Sequence, residues 1–111
     1  MAQDTSVERI RELNDALRRD SEGGQVLITS GVEALGADSV GQILAAVAGF
    51  QDFTPDNDPY GEHDFGALTF SGRKIFWKID YYDNDLKMAS PDPADPIVTS
   101  RVLTIMLAEE Y

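Results

Sequence analysis

The chain has 111 residues, with 20 acidic and 9 basic side chains, one histidine and no cysteine, for a formal charge of −11. That length predicts a single domain over residues 1–111, with roughly two thirds of the unfolded surface buried. The absence of cysteine excludes a disulfide scaffold, thiol catalysis and Cys-ligated metal centres. No apolar run approaches the ~18 residues of a membrane span, and the charge opposes direct contact with nucleic acid. With 42% hydrophobic residues the chain is not a disordered acidic tail, and a cytoplasmic domain is expected.

Residues 1–5 read as a short, flexible polar lead. From Ser6, the residues Val7, Ile10, Leu13, Asn14 and Leu17 share one face of a helix, which Gly23-Gly24 stops. Arg9, Arg11, Arg18 and Arg19 lie among acids at helical spacing and read as a solvated face. Gln25–Thr29 forms a short apolar strand. A second helix is expected after Ser39-x-x-Gln42, which has the form of a capping box, with Val40, Ile43, Leu44, Val47 and Phe50 as its stripe.

Residues 51–62 are a loop with two prolines and a glycine. His63–Phe70 and Arg73–Tyr82 then read as a hairpin closed by Ser71-Gly72. In the second run Ile75, Trp77, Ile79 and Tyr81 alternate with Lys74, Phe76, Lys78 and Asp80, which marks a half-buried strand. Phe65, Phe76 and Tyr82 fall on its opposite face, leaving a homodimer or another docking partner open there. A turn at Asp83-Asn84 leads to a third strand over Leu86–Ala89. Asp95-Pro96 opens a final helix to about Glu110, apolar around most of its circumference. The expected class is α+β: an antiparallel β-meander of three or four strands packed on about three helices, in the order α-β-α-β-β-β-α.

The charge is uneven. Residues 50–66 carry −5 and residues 80–95 carry −4, whereas residues 67–79 carry +3 from Arg73, Lys74 and Lys78. Asp52, Asp56, Asp58, Glu62, Asp64, Asp80, Asp83 and Asp85, with Tyr60 and Tyr82 as aromatic anchors, are therefore the candidate partner-binding residues. Read as a calcium loop from Asp56, the acidic run puts Tyr60 at position 5 and Ala67 at position 12, where a bidentate glutamate belongs, so the match fails. His63, the one imidazole, is expected opposite Asp80 on the outer face of the hairpin. No nucleophile motif accompanies that pair. No catalytic residue, metal ligand or cofactor is assigned.

The strings FTPDNDPYGEHDFG (53–66), FWKIDYYD (76–83) and DPADPIVTSRVLTIMLAEEY (92–111), with IRELNDALRR (10–19) and GGQVLITSGVEALG (23–36), are specific. They resemble a family of small alphaproteobacterial proteins labelled only as a domain of unknown function. The resemblance spans residues 7–111 and implies a setting on plasmids and other mobile elements. That context and the clustered charge point to a non-enzymatic inhibitor of a host nucleic-acid-handling defence complex, whether restriction or CRISPR. Its acidic, DNA-mimicking surface would meet a basic protein surface rather than nucleic acid or membrane. Two other readings stand beside it: an antitoxin-like partner of a basic protein, and a metal-dependent enzyme centred on His63 and the Asp56–Asp64 cluster.

Overall fold

The computed structural model describes residues 2–111, with side chains from Ser6 onward. The elements are helix α1 (Ala2–Asp20), strand β1 (Gly24–Ile28), the single-turn helix α2 (Ser30–Glu33), helix α3 (Ala37–Ala48), strands β2 (Phe65–Phe70), β3 (Arg73–Tyr82) and β4 (Ser100–Leu107), and a 3₁₀ turn over Ala108–Glu110. The side chains of the expected polar lead, residues 1–5, lie outside the described residues, and α1 is helical from Ala2. No helix among the described residues is long and apolar enough to cross a membrane. The α+β class is as expected.

The four strands form one mixed sheet in the order β1-β4-β3-β2. Strands β2, β3 and β4 make the antiparallel meander, and β1 joins β4 in parallel. The β2–β3 hairpin has the expected two-residue turn, with Phe70 paired to Arg73. Ser71 and Gly72 both take positive φ (51° and 79°), the signature of a type I′ turn whose twist matches the strands.

The helices cover one sheet face. Leu17 of α1, Val32 of α2, and Ile43 and Val47 of α3 pack with Phe50 on Ile75, Trp77, Ile79, Leu103, Ile105 and Leu107. Phe65, Phe76 and Tyr111 cluster on the other face, with ring centroids 5.3–6.5 Å apart. Helix α1 ends in an αL cap: Ser21 (φ 57°) donates its N–H to Leu17 O at 2.9 Å.

Three expectations are corrected. The residues expected as a final helix from Pro96 instead carry β4, the central strand, between β1 and β3. A run apolar on all sides fits a buried helix or a strand covered on both faces equally well. Here Val102 and Met106 are buried on one face and Leu103, Ile105 and Leu107 on the other. Asp95 does form a cap-like contact, accepting Ile97 N–H at 2.9 Å, but it makes only a turn, and Ile97 is 81% exposed. The Leu86–Ala89 strand is likewise absent. β4 pairs β3 along eight residues, so the segment keeps one bridge, Tyr82 to Ala89, while Leu86 and Met88 face solvent. Finally, α3 is capped by Gly36 (φ 100°) rather than Ser39, which sits inside the first turn.

Candidate functional site: the acidic end of the sheet

β2 starts, β3 ends and β4 starts at the same end of the sheet, so the loops 51–64 and 83–99 emerge side by side there. These two loops contain the acid-rich stretches. A buried polar knot fastens them to α1. Asn14, fully buried on the apolar stripe of α1, donates Nδ2 to the Tyr81 hydroxyl (2.8 Å) and to Glu62 O (3.0 Å). Its Oδ1 accepts from Arg101 Nε at 2.7 Å. Tyr81 in turn donates to Glu62 Oε1 at 2.8 Å. Arg101 lies over the Tyr81 ring, 5.0 Å from its centroid, and its Nη2 reaches Pro93 O. One residue of α1, one of β3 and one of β4 thus grip both loops.

Burial drives the titration of this knot. It pushes the Tyr81 hydroxyl far above its ordinary value and the Arg101 guanidinium below its own.

A second set of contacts fixes loop 51–64 further along α1. Asp15 accepts from Arg18 Nη2 (2.9 Å) and from His63 Nδ1 (3.0 Å). Burial pushes the Asp15 carboxyl up, but these two bonds and the adjoining charges outweigh it and hold the group below its usual value. His63, in a left-handed conformation (φ 56°), stacks flat on Phe53 at 3.7 Å, and its N–H donates to Asp58 Oδ1 at 3.1 Å. Arg11 Nη1 donates to Gly61 O at 3.0 Å. Arg18 is buried and donates to the carbonyls of Val47, Ala48 and Phe50 at 2.9–3.0 Å, at and just beyond the end of α3, where the last carbonyls have no i+4 partner in the helix.

Two expectations change as a result. His63 does not face Asp80 on the outer side of the hairpin, because its left-handed backbone turns it inward to Asp15 and Asp58. Asp80 is paired with Lys78 at 3.0 Å instead. The arginines of α1 are not all a solvated face either, since Arg18 is a buried structural cation.

The predicted partner-binding residues divide. Asp52, Asp56 and Asp85 are exposed, and Tyr60 is 76% exposed. Asp58 is buried and holds the His63 turn; Glu62 serves Tyr81; Asp83 caps its own turn by accepting Lys87 N–H at 3.0 Å. Tyr82 is half-buried at the end of β3. Asp64 is half-buried with Glu62, Asp58 and Asp80 nearby; burial first and those charges second raise its carboxyl above the ordinary value. Among the described residues no three His, Asp or Glu side chains are placed to share a metal ion.

Sequence reasoning missed Arg101 and the role of Asn14. Each had a signal: a lone cation inside the apolar run VTSRVLTIML (98–107), and a lone amide on an apolar helix stripe.

A family model described as a protein of unknown function (DUF3768) matches residues 28–110, three quarters of the chain. The chain belongs to this family. The DUF3768 match covers α2, α3, strands β2, β3 and β4 and both acidic loops, and leaves α1 and all but the last residue of β1 outside. No curated protein and no solved structure matches the chain. The family description indicates no enzyme class.

Proposed function

We propose that this DUF3768 protein is a non-catalytic acidic binding protein of the cytoplasm. It inhibits a nucleic-acid-handling defence complex, such as a restriction or CRISPR effector, by occupying a basic surface built for DNA. The observation that carries the reading is the convergence of the two acidic loops at one end of the sheet, tied into a single body through Asn14, Tyr81 and Arg101. Charge presented on a rigid frame costs little ordering entropy on binding and favours a basic surface of matching spacing. Asp52, Asp56 and Asp85 supply exposed charge, and Tyr60 supplies an aromatic anchor. Asp58 and Glu62 act from within by setting the loop's shape.

The test is capture from a nuclease-treated lysate of the native host by the immobilised protein. The reading expects a nucleic-acid-binding subunit that duplex DNA displaces competitively. It also expects that subunit to be lost with the triple variant Asp52→Lys, Asp56→Lys, Asp85→Lys. A subunit indifferent to both DNA and the variant contradicts it. Recovery of a small basic protein encoded beside it would replace the inhibitor reading with the antitoxin one.

A further inference from the structure

We infer that the chain forms a two-fold homodimer by antiparallel pairing of the β2 edges of two copies, which continues the sheet across the interface and sets the cationic hairpin tip of each copy beside the acidic start of β2 in the other. The inference goes beyond the proposed function and is independent of it.

The first support is the edge itself. β2 is an outer strand, and its sequence FGALTF holds no charge and no proline, the features that normally guard an open edge. In a two-residue hairpin the closing pair, Phe70 and Arg73, exchanges backbone hydrogen bonds, so the bonded positions of β2 are the even ones. The bond from Ile79 N to Asp64 O at 2.8 Å has the same parity. Phe65, Ala67 and Thr69 therefore turn their N–H and C=O groups outward. Among the described residues no backbone group outside β3 bonds to the strand.

Charge decides what covers this edge. β2 runs from the acidic stretch ending in Glu62 and Asp64 to a tip carrying Lys74 and Arg73, about 20 Å away for six residues; Arg73 also meets Glu109 of its own chain at 3.7 Å, in an exposed pair that leaves the guanidinium accessible. Antiparallel self-pairing brings opposite signs together at both ends at once, whereas parallel pairing would bring like signs together. Asp80 is paired with Lys78 and Asp58 lies against His63, but Asp64 itself makes no ion pair among the described residues, and burial together with the nearby Glu62, Asp58 and Asp80 raises its carboxyl. The other outer strand, β1, offers no such match, since Glu22 precedes it and Glu33 ends α2 beyond it. The pairing also brings the half-buried Phe65 rings of the two copies onto one continuous face.

The experiment is sedimentation equilibrium of the full chain at low and high salt. A dimer is expected at low salt, weakening as salt screens the tip-to-loop pairs. The double variant Arg73→Glu, Lys74→Glu should weaken it by at least ~10-fold with unchanged circular dichroism. Thr69→Pro removes an outward N–H without touching a β2–β3 bond and should weaken it by ~100-fold. As the chain has no cysteine, spin labels on Thr69→Cys report the geometry separately, with an expected separation under ~20 Å for paired strands. A monomer at ~100 μM and low salt, a dimer indifferent to both variants, or labels more than ~40 Å apart overturns the proposal.

Discussion

Replacing Asn14 with alanine isolates the knot that joins the two acidic loops. The substitution suits helix α1, because alanine is the better helix former, so any loss comes from the tertiary contacts. It removes the bonds to the Tyr81 hydroxyl, to Glu62 O and from Arg101 Nε. Arg101 is 2% exposed, so its Nε is left without a partner in a low-dielectric site. An unsatisfied buried group costs ~1–3 kcal/mol, and more when charged. Partial collapse and the remaining Arg101 to Pro93 contact temper the sum, giving an expected loss of about 3 kcal/mol. An unfolding entropy of ~2.1 cal/mol/K per residue over this length converts that to a Tm drop of roughly 13 °C. Urea and thermal unfolding measure both quantities. Hydrogen exchange should show protection lost first around residues 60–64 and 90–94, while the β3–β4 pairs stay protected. A loss below ~1 kcal/mol with both loops still protected would refute the knot as their fastener.

Three further outcomes follow from single contacts. Gly66→Ala drives a methyl into the Trp77 indole nitrogen and should cost about 2–3 kcal/mol, read by urea midpoint. Ser71→Asn gives the type I′ turn its preferred Asn-Gly pair and should add about 0.5 kcal/mol to stability. Acid titration separates two carboxylates of opposite sign. Asp15, held low by His63 and Arg18, contributes stability that is present above its unfolded value of 3.8 and lost as pH falls through its lower folded value. Asp64 is raised, so its contribution is present below 3.8 and lost as pH rises through the folded value. Asp64→Asn should therefore gain stability at pH 7 and not at pH 3, while Asp15→Asn should lose stability at pH 7; urea unfolding at the two pH values checks both.

Local pattern made the hairpin legible. Ile75, Trp77 and Ile79 alternate with a polar face, and a two-residue turn fixes their register, so both faces of β3 follow from sequence alone. The α1 stripe and the strand at β1 were legible for the same reason. β4 was not. Its apolar circumference reflects neighbours on both sides and both faces, which are set by β1 and β3 rather than by anything within residues 100–107. That error also misplaced residues 86–89, because β3 has one free edge and the longer apolar run takes it. At the site, the charge clustering of both loops was visible, and their shared end follows from the meander. The knot was hidden because hydrogen bonding of Asn14 to residues 48 and more positions away leaves no periodic trace. His63 escaped for a related reason. Its register position predicts Asp80, but a left-handed backbone before β2 turns the ring to α1.

In the proposed function the two loops act as one acidic surface for a basic, DNA-binding partner. The most direct measurement is the affinity of the captured target for this protein as a function of salt, repeated with Asp52→Asn, Asp56→Asn, Asp85→Asn in one chain. Affinity should fall steeply with salt for the native chain, and with a shallower slope for the triple variant. An affinity that neither salt nor the variant changes would contradict it.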